Sequence, residues 1–393
     1  MRSAAICAIA LLLAGCAAAA SAGAGAGAGA NTVRARGWRI VAVLRHDGNN
    51  DSLSSVVATG PGDAWALGQP PQVSAPIPSA DVEHWNGTAW RRVPVPPDTS
   101  LGDSLAEPLA ASSASDAWIF PGRSAQVGSL WYYVYDYALH WNGTVWHASG
   151  FPAKMIVQSA ADLGPADVWA FGVLQTSADT TAPYAARYNG RVWQRVNLPV
   201  APMAIGTVGR HGLWVIGPTV ATAEKAAGQQ HIIGLYWNGR SWRRQAVPKV
   251  VLPTGQSAFS AASVAAGGPR YLWWYYEASN DTTDASRRGL LHWNGVAWRV
   301  IGLPPAISYV DAFTQDGHGG VWLAAGTGLD LVQYWYHYAD GHWTRALVPS
   351  PRGYGYGVFG LAWIPGTVSV WADGEADANT GTHSVGVIAK YGI

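Results

Sequence analysis

Past residue 16 the chain contains no cysteine: of its 393 residues only Cys7 and Cys16 carry a thiol. Whatever folds beyond that point does so without a disulfide and offers no thiolate for catalysis. Charge is also scarce, at 12% Asp, Glu, Lys and Arg against roughly 25% in a typical soluble domain. The formal net charge is +1 and no basic or acidic block interrupts the chain, which excludes an electrostatic nucleic-acid footprint. The histidines lack His-x-His or His-x-x-x-His spacing, so no metal site is expected, and nothing calls for a cofactor. What the chain has instead is 22 Trp and 47 Gly, the profile of aromatic packing between many turns and hence of an all-β protein.

The first 16 residues, MRSAAICAIALLLAGC, place Arg2 ahead of an apolar stretch from Ala4 to Leu13 and then small residues. This is the build of an export signal and is too short to span a bilayer. Leu13-Ala14-Gly15-Cys16 resembles the lipobox of bacterial lipoproteins, which implies acylation of Cys16 and an anchor on the outer face of the cell membrane. The alternative is cleavage within Ala17 to Ala22, which releases a soluble secreted protein. Residues 17–36 begin as Ala/Gly low complexity and read as a tether with little apolar surface to bury.

From residue 37 the chain repeats itself. One segment returns six times: HWNGTAW at 84, HWNGTVW at 140, RYNGRVW at 187, YWNGRSW at 236, HWNGVAW at 292 and HYADGHW at 337. Its aromatics stand five apart, as Trp85/Trp90, Trp141/Trp146, Tyr188/Trp193, Trp237/Trp242, Trp293/Trp298 and Tyr338/Trp343. The central Asn-Gly suits a two-residue type I′ hairpin turn. With that turn at Asn86-Gly87, Trp85 pairs with Thr88 and Glu83 with Trp90, and alternation sets both tryptophans on one face, with His84 on the other. A second segment alternates with the first and centres on Trp65, Trp118, Trp169, Trp214, Trp273, Trp322 and Trp371. Each follows a turn-rich stretch preceded by an extended run. The unit is therefore strand a, tight turn, strand b, variable loop, strand c, turn, strand d, and four antiparallel strands in about fifty residues is the size of a propeller blade.

Seven b strands against six hairpins leaves one strand d missing. The chain ends Ala389-Lys390-Tyr391-Gly392-Ile393, a strand c stopped at its turn, while Gly37-Trp38-Arg39-Ile40-Val41 matches the start of a strand d. Residues 37–44 are expected to complete the last blade and so close a seven-bladed β-propeller over residues 37–393, removing two exposed sheet edges. The repeated D-x-W and W-N-G-x-x-W segments resemble those of secreted or lipid-anchored bacterial β-propeller proteins of the actinobacterial type. That resemblance implies the architecture and no reaction. Thr314–Trp322, with its Asp316-Gly317 turn, resembles more distantly the Asp-Gly…Trp turn of sensor propellers and Asp-box repeats.

The tryptophans read as blade-to-blade packing, with a cost of roughly 3–5 kcal/mol expected for Trp→Ala at 85, 141 or 293. Asp63, Asp116 and Asp167, two positions before the b-strand Trp, read as turn residues accepting local backbone N–H bonds. His84, His140 and His292 recur because the repeat recurs. The b–c and d–a connections, among them 69–80, 122–132, 173–183, 218–230 and 278–288, hold the long segments, and function concentrates on such loops. Their aromatic candidates for binding are Trp131, Tyr132, Tyr133 and Tyr135, with Trp274, Tyr275 and Tyr276. The expected role is a monomeric, non-catalytic binding or scaffolding propeller that engages a protein or an envelope glycan. The alternative is a polysaccharide-acting hydrolase or lyase at the central funnel, where Asp311 is a lone acid without a visible partner.

Overall fold

The structure, a computed structural model, describes residues 37–45, 52–69, 80–97, 99, 108–127, 130–177, 180–223, 230–248, 258–279, 286–326, 333–378 and 384–392. The strands, in chain order, begin with β1 (Trp38–Leu44). Blade 1 is β2 (Ser52–Gly60), β3 (Asp63–Gln69), β4 (Asp81–Trp85) and β5 (Trp90–Arg92); blade 2 opens with β6 (Leu109–Ser113), β7 (Asp116–Ile119), β8 (Arg123–Val127) and β9 (Leu130–Trp141). A single long strand, β10 (Trp146–Asp162), ends blade 2 and begins blade 3, which continues through β11 (Val168–Ser177), β12 (Thr180–Tyr188) and β13 (Trp193–Val196). Blade 4 is β14 (Ala204–Thr207), β15 (Leu213–Pro218), β16 (Ile232–Trp237) and β17 (Trp242–Ala246); blade 5 is β18 (Ala258–Gly268), β19 (Tyr271–Ser279), β20 (Ser286–Trp293) and β21 (Trp298–Ile301). Blade 6 is β22 (Tyr309–Gln315), β23 (Val321–Gly326), β24 (Gln333–Ala339) and β25 (His342–Leu347), and blade 7 is β26 (Tyr354–Trp363), β27 (Val370–Ala378) and β28 (Ser384–Tyr391) with β1 as its fourth strand.

The seam forms as the sequence implies: β1 runs antiparallel to β28 with Trp38 opposite Tyr391 and Leu44 opposite Gly386. The first strands of the seven blades, β2, β6, β10, β14, β18, β22 and β26, each touch the next, and β26 touches β2, so the inner strands close on themselves. This is the seven-bladed, all-β propeller.

Packing between blades rests on the b-strand tryptophans. Trp65, Trp118, Trp169, Trp214, Trp273 and Trp371 are at most 1% exposed, and Trp65, for example, joins a cluster with Leu109, Ile119 and Leu139 of the next blade. Burying one such ring removes roughly 200 Å² from water, on the order of 5 kcal/mol gross as an upper bound. Repeated around the ring, that contribution replaces a central core.

The hairpin tryptophans contribute less to packing than their repetition suggests. Trp193 and Trp237 are buried, but Trp85, Trp141 and Trp293 are only half-buried, as are Trp90, Trp146, Trp242, Trp298 and Trp343 on the outer strands. Trp343 illustrates the arrangement. It lies half-buried on β25, the outer strand of blade 6, and packs against the cluster between blades 5 and 6 that holds Trp273, Tyr275 and Leu323. Its ring meets that of Tyr338 in its own blade at 5.1 Å, and its Nε1 donates to the carbonyl of Gly302, just past β21 in blade 5, at 2.8 Å. Trp343 therefore joins two blades from their outer edge.

The hairpin register departs from the expected one. Trp85 lies directly opposite Trp90 and Glu83 opposite Arg92, with a four-residue loop between. The reason is local: Asn86 does not adopt positive φ, whereas Gly87 does at +92°. The Asn86 side chain instead closes the loop, its Oδ1 accepting from the backbone N–H of Thr88 at 3.0 Å and Ala89 at 3.1 Å. Asn142, Asn189, Asn238 and Asn294 do the same. A two-residue turn with both residues at positive φ occurs in blade 6, at Asp340 (+50°) and Gly341 (+83°), with Ala339 opposite His342 and Tyr338 opposite Trp343. In both geometries the aromatics five apart face each other, so their shared face holds.

Candidate functional site

Most of the conspicuous polar residues serve the framework. The aspartates before the b-strand tryptophans do not chiefly cap backbone N–H groups; their side chains bridge strand b to strand c. Asp63 Oδ1 lies 2.7 Å from His84 Nε2 and Asp116 Oδ1 lies 2.8 Å from His140 Nε2. Asp167 receives Arg187 Nε at 2.6 Å, Trp169 Nε1 at 2.8 Å and Trp237 Nε1 at 2.8 Å. Each histidine also lies flat on the b-strand ring beside it, with centroids of His84 and Trp65 4.3 Å apart and of His140 and Trp118 4.2 Å apart. Blade 6 draws its aspartate from the preceding turn: Asp316 lies 2.8 Å from His337 Nε2 and accepts the N–H of His318 and Gly320. Burial alone raises the pKa of Asp316, but these bonds hold it below the usual carboxylate value. In blade 5 Tyr271 stands in the aspartate's place, and burial, followed by Arg299, lowers the pKa of His292. In blade 7 Lys390 sits over Trp371 at 5.0 Å.

The aromatic candidates divide. Trp274 and Tyr275 are 1% exposed and Tyr276 is 8% exposed, packed into the faces between blades 4, 5 and 6; they are interior residues, not a binding surface. Alternation along β19 sends Trp274 and Tyr276 to one neighbour and Tyr275 to the other, which makes the run apolar on both faces. The side chains of Trp131, Tyr132, Tyr133 and Tyr135 lie outside the described residues; the backbone of the first three pairs with β8, Tyr133 opposite Ser124, and Tyr135 pairs with Met155 of β10. Within the segment expected as an irregular loop at 122–132, β8 and the start of β9 thus pair as a β-ribbon, and within 173–183 β11 and β12 likewise extend to a pair at Ser177 and Thr180.

Toward the axis the inner strands carry a feature that the sequence did not disclose. A β-bulge sets one extra residue into β2 (Ser54), β10 (Gln158), β22 (Asp311) and β26 (Phe359). Each stands three residues before the partner of a b-strand tryptophan: Val57 opposite Trp65, Ala161 opposite Trp169, Thr314 opposite Trp322 and Ala362 opposite Trp371. Bulges re-aim side chains, and an inner strand flanked by two neighbours and its own strand b is open only to the axis. Counting back from the tryptophan within each unit would have flagged the position, but a bulge has no fixed residue type.

Asp311 is exposed on this wall, and it has a partner after all: Gln333 Nε2 donates to its Oδ2 at 2.6 Å. The enclosing strands desolvate the carboxyl and push it up to about 6, against the pull of that hydrogen bond. Close by, Tyr275 donates to Glu277 Oε2 at 3.1 Å, and Arg288 reaches Glu277 Oε1 at 3.3 Å and the carbonyl of Ile307 at 3.2 Å. Burial, then Glu277, raises the pKa of Tyr275 well above that of a free phenol, so it is a neutral donor and no nucleophile. One blade on, Asp373 is fully buried and driven up to about 7 by burial, opposed by backbone N–H groups that include those of Ser55 and Gly360. A separate groove of about 240 Å³ lies between blades 3 and 4, with Tyr184 and Arg195, whose guanidinium stands 5.2 Å above the Tyr184 ring, and Pro183, Leu198 and Val220 along it. Among the described residues no group of three or more His, Cys, Asp or Glu could hold a metal ion.

No family model and no curated protein matches the chain. Among solved structures it is similar to the polysaccharide lyase Uly1, at 9% identity and a TM-score of 0.51 over 84% of this chain and 88% of that one. It is also similar to YCF48 bound to a D1 peptide, at 12% identity and 0.49 over 91% and 95%, and to the β-propeller domain of the trilobed protease from Pyrococcus furiosus, at 9% identity and 0.47 over 86% and 95%. At these identities the likeness is one of fold, and the fold is the β-propeller.

Proposed function

We propose that the chain is an exported, lipid-anchored and non-catalytic binding propeller, attached to the outer face of the cell membrane through Cys16 and engaging a protein or envelope glycan. The observation that carries this reading is the state of the ionisable groups near the axis. Glu277 is taken by Tyr275 and Arg288, Arg288 also by a backbone carbonyl, and Asp311 by Gln333. A glycosidase needs two carboxyl groups free to face one bond, and here Glu277 is engaged by Tyr275 and Arg288 and one oxygen of Asp311 by Gln333. In this reading the tether enters at Trp38, opposite Tyr391 at the end of strand c and on the side of the short turns, which supports the b–c and d–a connections as the face turned from the membrane.

Capture of ligands from an envelope fraction and a glycan array by the mature chain tests the reading, with polysaccharide cleavage assayed in parallel. Retention of a ligand without turnover is expected; release of reducing or unsaturated ends would replace it with the hydrolase or lyase reading, which the raised pKa of Asp311 favours as a general acid. Metabolic lipid labelling of Cys16→Ser tests the anchor. Loss of label is expected, and undiminished label overturns it.

A further inference from the structure

The bulges at a common height on the axis wall expose Gln158, Asp311 and Phe359, the last at 41%. Of the bulged residues, Asp311 alone is charged. Its position is braced by a buried amide: Gln333, 8% exposed, donates through Nε2 to Asp311 Oδ2 at 2.6 Å and to the carbonyl of Val358 at 3.3 Å, while its Oε1 accepts the N–H of Val358 at 2.6 Å. Val358 directly precedes Phe359. One side chain therefore locks the carboxylate of blade 6 to the bulge of blade 7 that presents the phenyl ring. Preorganisation of this kind, by a second residue that is itself fixed, is what a recognition site requires, and the strand pairing of the two blades does not depend on it.

The chemistry of the pair selects its ligand. Gln333 occupies Oδ2, and Oδ1 has no partner among the described residues. Oδ2 keeps a second lone pair beside the Gln333 bond, so the carboxylate remains open to a cationic donor. The exposed ring of Phe359, on the bulge whose backbone Gln333 also bonds, favours a cation as well. We propose that Asp311 and Phe359, positioned by Gln333, bind the cationic end of a basic side chain carried on a peptide, as in lysine. The inference rests on the binding reading above and supplies its ligand class.

The test is calorimetric titration of the full chain with acetyl-Gly-Lys-Gly-amide and with the same peptide acetylated on Nζ. Binding of the first and at least tenfold weaker binding of the second are expected, with a loss of tenfold or more in Asp311→Asn and of severalfold in Phe359→Ala at unchanged secondary structure and melting temperature. Equal binding of the two peptides, full affinity in Asp311→Asn, or no binding of the lysine peptide would overturn the proposal. Envelope capture separates the two levels: if wild type and Asp311→Asn retain the same ligand equally, the cation site falls and the binding reading stands; if wild type retains none, the binding reading itself falls.

Discussion

Removing the clasp strand is the most direct perturbation of the ring. Trp38 lies flat on Trp335 with centroids 3.8 Å apart and 6° between planes, and meets Trp322 edge-on at 5.4 Å and Tyr391 at 5.7 Å. Trp335 is fully buried and Trp38 is part of its cover. Trp38→Ala should cost about 3 kcal/mol, the low end for a large aromatic because the ring is half-buried. Deleting residues 37–44 also removes Ile40 from one cluster and Val41, Ala42 and Leu44 from another. At roughly 1 kcal/mol for each half-buried apolar side chain, the total is on the order of 6–8 kcal/mol, a large part of the ~5–15 kcal/mol that holds a domain folded. If the ring melts as one unit, about 1–1.5 °C is lost per kcal/mol, so the point variant shifts Tm by only a few degrees. Urea titration and amide exchange are the sharper assays. The deletion should lower the urea midpoint and, because blade 7 opens first, lower m as well, with exchange in β28 accelerated above that in β15. A deletion variant with an unchanged midpoint and fully protected β28 amides would refute the closure argument.

Trp118→Ala should destabilise by about 4–5 kcal/mol and Trp85→Ala by roughly half as much, because Trp118 is fully buried and Trp85 is not; equal costs in chemical denaturation would contradict the assignment of packing to the b strands. Asn142→Ala removes the acceptor of two loop N–H groups and should cost about 1 kcal/mol, while Asn142→Asp, which keeps the oxygen, should be near neutral. Asp162 is raised from 3.8 to about 8 by burial and then by Asp116. A carboxyl whose folded pKa lies above its unfolded one contributes stability that is complete below pH 3.8, falls progressively from there and is gone above about pH 8, so Asp162→Asn should match wild type near pH 3, exceed it modestly at pH 5 and exceed it at pH 9 by several kcal/mol, on the order of 1.4 kcal/mol per pH unit between the two pKa values. A pH-independent difference in the denaturation midpoints would count against a protonated Asp162.

The repeat was legible because it is a packing device. A tryptophan every blade must return to the same interface, so its spacing in the chain records the architecture, and the unmatched strand at each end records the seam. Repetition did not record depth: Trp273 and Trp343 are equally regular in the chain, yet the first is interior and the second sits on an outer strand at the rim. The site was less legible for a related reason. In the run Trp273-Trp274-Tyr275-Tyr276, composition looks like a binding surface, yet both faces of β19 are interior. His84 and Asp63 look like a reactive pair, yet they brace strand c against strand b.

By itself the sequence determined the number of blades, the strand order within each and the identity of the closing strand, since these follow from periodicity and from the need to cover sheet edges. Only the tertiary structure decided what faces the axis. Asp311 and Phe359 belong to different blades, 48 positions apart by their numbers; each sits at a bulge, and Gln333 links the two bulges through Asp311 and the backbone of Val358. A one-residue insertion reverses which side of a strand a residue occupies, and no periodic pattern encodes where that reversal falls.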